Sequence, residues 1–203
     1  MLLLMSYISG KSSLLSSLFR ILIDNIPHSL LRSRIVALPQ QPYLLPGPIR
    51  RNMDPENQSS DHAIKNALEK VGLWDIVTST RTASPAPTEI DSPLDKILNT
   101  ETLSPGQRQL FVLSRSLLLT PRPKVLISDE ASSNLDMAND ALMQRIVREE
   151  SADQECTVIA IAHRLESIMD FDTVAVLERG KVVEIGNLSA LVHQGGAFAR
   201  MVG

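Results

Sequence analysis

Short apolar runs alternate with amphipathic stretches along most of the chain. The runs that predict strands lie at 2–4, 35–38, 125–127 and 157–162. The stretches with the apolar spacing of a helix lie at 12–22, 61–71, 106–119 and 138–149. Two further runs, at 173–177 and 181–185, flank a polar turn and predict a hairpin. Because strands alternate with helices, we expect an α/β fold with a mostly parallel sheet flanked by helices.

Two local features refine this outline. The segment from 78 to 95 is rich in Ser, Thr and Pro and predicts an exposed loop. The helix that begins near residue 106 is expected to run to Leu119, because Pro121 and Pro123 follow and cannot continue it.

Composition narrows the classes of protein that fit. The chain has 203 residues, of which 43% are hydrophobic and 21% charged, as is usual for a globular domain. Its net charge of −3 gives no reason to expect nucleic acid as a partner. No segment approaches the roughly 20 apolar residues that cross a bilayer. We therefore expect the chain alone to be soluble and cytoplasmic.

A small, polar segment follows the first apolar run and leads into a helical stretch. It consists of Ser9, Gly10, Lys11, Ser12 and Ser13. In this context backbone N–H groups and the helix N-terminus can hold phosphates. Lys11 would then reach the β/γ oxygens, and the Ser12 hydroxyl would bind Mg²⁺. The plain alternative is a turn into a helix.

Two adjacent carboxylates, Asp129 and Glu130, follow the apolar run at 125–127 after Ser128. An exposed turn would also explain them, but charges at the end of a buried strand usually serve a metal ion or a reaction. Asp129 would support Mg²⁺, and Glu130 would orient or deprotonate an attacking water molecule.

The segment Leu103-Ser104-Pro105-Gly106-Gln107 is the most specific in the chain. Ser104 before Pro105 is typical of a helix N-cap. The segment also resembles the LSGGQ signature of ATP-binding cassette (ABC) proteins, with Pro105 in place of the first glycine. In that family the signature closes over ATP that is bound by a second cassette. The resemblance implies that Ser104, Gly106 and Gln107 contact nucleotide in this way.

Other segments are similar to ABC motifs in the same order. Pro39-Gln40-Gln41-Pro42 resembles the Q-loop, in which Gln40 would contact Mg²⁺ and the attacking water. Residues 133–136 resemble the D-loop, which crosses the interface between two cassettes. His163 resembles the switch histidine that contacts the γ-phosphate.

Finer matches point to the C subfamily of ABC transporters, the multidrug-resistance-like proteins. They lie at Leu18-Phe19-Arg20, at 47–55 and at 106–110. First cassettes of that subfamily often lack the catalytic glutamate, so the presence of Glu130 favours the C-terminal cassette.

The resemblance implies a P-loop NTPase fold over residues 1–203, with a helical signature subdomain at about 52–118. It also implies ATP and Mg²⁺ as cofactors, with Gln40, Glu130 and His163 catalytic and Ser12, Gln40 and Asp129 at the metal. The implied partners are a second cassette in a head-to-tail dimer and transmembrane domains, at the cytoplasmic face of a membrane.

One alternative is a non-catalytic fragment of an ABC cassette. Met5 and Ile8 stand where phosphate loops of the family usually carry glycine. The upstream strands and the aromatic residue that stacks on adenine are also missing, so we expect a cassette truncated at its N-terminus, with incomplete N-terminal strands. Such a fragment would act only as a binding or interaction module. DNA-repair cassettes share the signature, but in them a long coiled coil separates the two lobes. No heptad stretch separates Lys11 from Ser104 here, so we discount that class.

Overall fold

The computed structural model describes residues 2–6, 27, 30, 33–79, 92–131, 135–153, 156–161 and 171–202. The strands are β1 (Leu2–Ser6), β2 (Ile35–Leu38), β3 (Val125–Asp129), β4 (Thr157–Ile161), β5 (Thr173–Glu178) and β6 (Lys181–Gly186). The helices are α1 (Ile49–Met53), α2 (Asp61–Lys70), α3 (Trp74–Ser79), α4 (Pro105–Ser116), α5 (Met137–Asp153), α6 (Leu188–Gln194) and α7 (Ala197–Val202). The helix expected at 12–22 lies outside the described residues.

The chain divides into two compact units. The first consists of Met1–Gln40, Pro121–Ser133 and Glu149–Gly203, and it holds the whole sheet. The second consists of Gln41–Thr120 and Asn134–Arg148, and the regular elements described in it are helices.

The described strands form a six-stranded sheet in the order β2-β3-β4-β1-β5-β6. Strands β1 to β5 run parallel, and β6 pairs antiparallel with β5. Leu4 of β1 is paired with Ile161 of β4, which is paired with Asp129 of β3. The carboxyl ends of these strands therefore lie side by side at one edge of the sheet. The expected mostly parallel α/β sheet is confirmed.

The sequence of strand β5 does not alternate between apolar and polar residues, and its packing explains why. Val174 and Val176 pack on one face of the sheet with Leu191 of α6 and Phe198 of α7. Ala175 and Leu177 pack on the other face, in a cluster with Ile127 and Ile161. A strand that is buried on both faces is apolar throughout.

The core of the second unit is formed by the apolar faces of its helices. Ser60 is the N-cap of helix α2, and its hydroxyl accepts from the Ala63 backbone N–H at 3.2 Å. Ile64 and Leu68 lie on its inner face and are fully buried. The amphipathic helix expected at 61–71 is therefore confirmed.

Two expectations were wrong in part. Within the segment expected to be an exposed loop, Pro93–Asp95 forms a 3₁₀ turn and Leu94 is buried in the core. Helix α4 ends at Ser116 rather than at residue 119, because backbone N–H groups from 117 to 119 bond three residues back and tighten the chain into turns. Proline sets the latest possible end of a helix, whereas local packing sets the actual one.

The expected hairpin is confirmed. Its turn residues Arg179 and Gly180 both have positive φ, at 49° and 76°. Two successive positive φ values are the requirement of the tight hairpin turn that matches the twist of a sheet.

A carboxylate from β6 caps the last helix. The Glu184 side chain accepts hydrogen bonds from the backbone N–H groups of Ala197 and Phe198, the latter at 2.8 Å. Gly196 allows this approach, since a Cβ there would collide with the carboxylate. These bonds lower the pKa of Glu184, because they stabilise the charged form.

We expect this cap to make stability depend on pH. A lowered folded-state pKa adds stability above the unfolded value, about 4.3, and this stability is lost as pH falls through the folded value. Urea titrations followed by circular dichroism should therefore show a difference between wild type and Glu184→Gln above about pH 5 that disappears in acid. Glu178→Gln, in the same hairpin, is the matched control. An equal difference at pH 3 and pH 7 would contradict the expectation.

Candidate functional site

The described candidate residues of the first unit lie where neighbouring strands end. Gln40 follows β2 by two residues, and Asp129 is the last residue of β3. Glu130 comes next, and its backbone N–H donates to the carbonyl of Ile161 at the end of β4, at 3.2 Å. Because these strands are parallel neighbours, one edge of the sheet gathers all of these groups.

The side chains of Gln40 and Glu130 meet across this edge. The Gln40 Nε2 atom donates to Glu130 Oε2 at 3.2 Å, although 90 positions separate the two residues. Glu130 has a φ of 49°, which is uncommon outside glycine. Non-glycine residues with positive φ concentrate at functional sites, where the surrounding structure holds them in place. The strand ends therefore hold the Glu130 carboxylate in a defined position.

The donor set at this edge suits magnesium. Mg²⁺ takes oxygen ligands, with one or two carboxylates besides phosphate and water. Asp129 supplies a carboxylate at the end of its strand, and Gln40 presents its amide nitrogen to Glu130. The atom of Gln40 that could bind a metal ion is therefore the amide oxygen. The residues fit a magnesium-bound phosphate ligand.

The order of the strands indicates where such a ligand would bind. Strands β1 and β4 are neighbours in the sheet. From β1 the chain goes to β2 at one side of the sheet, whereas from β4 it goes to β5 at the opposite side, so the connections diverge between β1 and β4. In parallel sheets, ligands bind beyond the carboxyl ends of strands at such a switch point. The segments that follow these two strands contain the candidate residues Ser9, Gly10, Lys11, Ser12, Ser13 and His163, which lie outside the described residues, as does Ser133.

The signature segment lies in the second unit and begins helix α4. Ser104 is the N-cap, and its hydroxyl accepts from the Gln107 backbone N–H at 3.1 Å. The Gln107 side chain accepts in return from the Ser104 backbone N–H at 2.9 Å. The helix start is thus closed by a reciprocal capping box.

A second helix start lies against the first. Asp136 accepts from both the backbone N–H and the side-chain amide of Asn139, and the backbone bond is the main reason that its pKa is lowered. A Cβ at Gly106 would lie 3.0 Å from Leu135 and 3.1 Å from the Asn139 amide nitrogen. Asn139 was not predicted from the sequence, although an Asp three residues before it is typical of a helix N-cap. Gly106 thus joins the signature to the segment that resembles the D-loop.

Within the described ranges, no helix combines the length and the apolar character needed to span a membrane.

Comparison with known proteins agrees with this geometry. The family model described as "ABC transporter" matches residues 9–133. The chain is 40% identical over 208 residues to "ABC multidrug transporter B" of Aspergillus fumigatus, covering 95% of this chain and 13% of that protein. It is 42% identical over 198 residues to "ABC transporter C family MRP4" of Zea mays, covering 91% and 12%. The chain thus spans about an eighth of the length of these curated relatives.

A solved structure supports the fold. It is described as a bacterial Atm1-family ABC exporter with ATP bound, and the match has a TM-score of 0.80 at 24% identity. The match covers 99% of this chain and 36% of that one. The expected P-loop NTPase fold is therefore confirmed, and so is the resemblance to C family and multidrug transporters. The family model covers more than half of the sequence, so the chain belongs to the ABC transporter family.

Proposed function

We propose that this chain binds and hydrolyses Mg-ATP and powers transport across a membrane, as the C-terminal cassette of an ABC exporter of the C subfamily. The observation that carries the proposal is the contact between Gln40 and Glu130 at the carboxyl edge of the sheet. The contact brings the Glu130 carboxylate beside the Gln40 amide, and Asp129 supplies a second carboxylate at the end of the same strand. Family membership supports nucleotide as the ligand.

Each residue has a defined task in this proposal. Lys11 and Ser12 hold the phosphates of ATP with the backbone of Ser9, Gly10 and Ser13. Gln40 holds the Glu130 carboxylate through the 3.2 Å hydrogen bond, and Glu130 accepts a proton from the attacking water. His163 donates to the γ-phosphate. When bound through Ser12, Gln40 and Asp129, magnesium would neutralise charge that develops on the phosphate oxygens.

The assembly proposed for the chain follows from its family. Residues 1–203 form a single ATP-binding domain, with a helical signature subdomain at about 52–118. Its signature residues Ser104, Gly106 and Gln107 face ATP held by a second cassette. Transmembrane domains couple through the segment around Gln40, so the domain works at the cytoplasmic face of a membrane.

Equilibrium binding of Mg-ATP to the purified chain tests this proposal. We expect Lys11→Ala to weaken binding at least about tenfold, because a point charge on the β/γ oxygens is lost. Lys181→Ala, an exposed lysine of the β5–β6 hairpin, is the matched control and should bind as wild type does. Isothermal titration calorimetry gives both affinities.

The second candidate is a cassette that binds partners but does not turn over ATP. Ile8 favours it, since a side chain there crowds a loop whose backbone must approach phosphate. Met5 favours it as well, because it lies in strand β1 at a position where phosphate loops of the family usually carry glycine. Equal binding of Mg-ATP by wild type and Lys11→Ala, or no binding by either, would select this second candidate.

A further inference from the structure

Strand β6 forms one edge of the sheet. It is the last strand in the order of the described strands, and it pairs with β5 on its inner side. On its outer side the described residues include no further strand. The outward backbone N–H and C=O groups of an edge strand can pair with a strand of another chain.

Three side chains of β6 are apolar and exposed. Val182, Val183 and Ile185 have 57%, 45% and 66% of their surface exposed. Val182 is paired with Leu177 of β5, and Ile185 is paired with Ala175. Both therefore lie on the face of the sheet where Ala175 and Leu177 belong to a buried apolar cluster. Exposed apolar surface that is grouped in this way is typical of an interaction site.

A bulge in β6 restricts the kind of strand that fits its edge. The pairing with β5 shifts between Val176 and Leu177, and Val183 is the extra residue of β6 at that point. Two residues therefore separate Val182 from Ile185, whereas one residue separates their partners in β5. A strand without an extra residue would lose register here. A second copy of β6 carries the same extra residue and keeps it.

We propose that β6 pairs antiparallel with β6 of a second copy of this chain, around a two-fold axis that passes between Val183 and Glu184. In this register Val182 lies opposite the partner's Ile185, and by symmetry Ile185 lies opposite the partner's Val182. Such a contact uses the same surface on both copies and closes at two. Both exposed side chains gain apolar neighbours across the new strand pair.

The neighbouring registers fit less well. A shift by one residue in one direction places Glu184 opposite the partner's Glu184, and like charges directly opposite each other destabilise a strand pair. A shift in the other direction places Val182 opposite the partner's Glu184, so the apolar pair is lost. Register is set by the apolar pattern of the strands. The pattern of β6 therefore favours the pairing of Val182 with the partner's Ile185.

This interface is separate from the candidate nucleotide site and goes beyond the proposed function. Strand β6 belongs to the first unit, and no candidate site residue lies in it. We therefore expect the pairing to occur without Mg-ATP, and Lys11→Ala should associate as wild type does. A strand of six residues forms a small interface, so the association should be weak and should depend on protein concentration.

Sedimentation velocity of the full chain without nucleotide tests the association. The mean mass should rise from 22.3 kDa towards twice that value. The rise is expected between about 10 μM and about 1 mM protein, the range in which small interfaces associate. Ile185→Lys and Val182→Lys should each raise the dissociation constant about tenfold, because symmetry removes two apolar pairs per dimer. Val192→Lys, at an exposed valine of α6, is the matched control and should associate as wild type does.

Disulfide cross-linking tests the register. In a Cys156→Ser background, an equal mixture of Val182→Cys and Ile185→Cys should form linked dimers under mild oxidation. Residues directly opposite each other in antiparallel strands lie within disulfide reach. Either cysteine variant by itself should form far fewer linked dimers, because its cysteines do not lie opposite each other.

Four results would overturn the proposal. They are a mass that stays at the monomer value over the whole concentration range, association that both lysine variants leave intact, equal cross-linking in the three cysteine samples, and growth of wild type beyond two copies, since a two-fold contact closes. Circular dichroism of each variant shows that it is folded, so that a loss of association reports on the strand edge.

Discussion

Replacing Glu130 by glutamine is expected to lower ATP turnover by about 10²–10⁴-fold, the usual contribution of a general base. This factor corresponds to about 3 to 5 kcal/mol of activation free energy. Glutamine keeps the shape of the side chain and an oxygen that can still accept from Gln40. The change therefore removes the proton acceptor and leaves the contact at the strand ends. Mg-ATP binding should be unchanged.

Release of inorganic phosphate and calorimetric ATP binding, measured on the same preparations, check this expectation. Glu178→Gln, which alters an exposed carboxylate at the end of β5, is the control and should hydrolyse ATP at the wild-type rate. Full turnover in Glu130→Gln would show that another group accepts the proton. Absence of turnover in wild type, with ATP binding intact, would favour the non-catalytic candidate.

The largest effect on stability is expected at Asn52, a polar residue buried in the second unit with 1% of its surface exposed. Its amide oxygen accepts from the Leu45 N–H at 2.8 Å and from an Arg115 guanidinium nitrogen at 3.1 Å. Its amide nitrogen donates to the carbonyls of Leu45 and Pro48, at 2.8 and 3.1 Å. One side chain thus ties the segment 45–48 to helices α1 and α4.

Asn52→Ala is expected to lower the free energy of unfolding by about 3 kcal/mol, because it leaves several buried polar groups without a partner. Among them are the N–H and the carbonyl of Leu45. Arg115 loses one acceptor and keeps its hydrogen bond to the Tyr43 carbonyl, and burial already lowers the pKa of its guanidinium. Trp74, the single tryptophan of the chain, lies in the same unit and reports its unfolding in urea by fluorescence.

The matched control is Asn66→Ala on the exposed face of α2. Asn66 contacts only the His62 ring among the bonds described for its side chain, and a change there should stay within about 0.5 kcal/mol. Similar losses in the two variants would show that Asn52 does not hold the segment 45–48.

Much of the local structure follows from short-range pattern. Strand β2, helix α2 and the β5–β6 hairpin lie where apolar spacing and turn residues predict them. These elements depend on residues that are close in the chain, so a pattern of ten residues is enough. The expectation for 78–95 was wrong in part, because composition does not show that Leu94 packs into a core.

The candidate site residues could also be predicted from the sequence, because phosphate binding, magnesium binding and proton transfer each require particular side chains in a particular order. The spatial arrangement of these residues could not be predicted in this way. The contact between Gln40 and Glu130, the positive φ of Glu130 and the packing of Asn139 on Gly106 join distant residues or depend on strand order. Pairing of parallel strands is set by long-range packing, which no local pattern contains. The order and identity of the motifs are thus determined by the sequence alone, whereas the contacts between residues of different motifs exist only once the chain has folded.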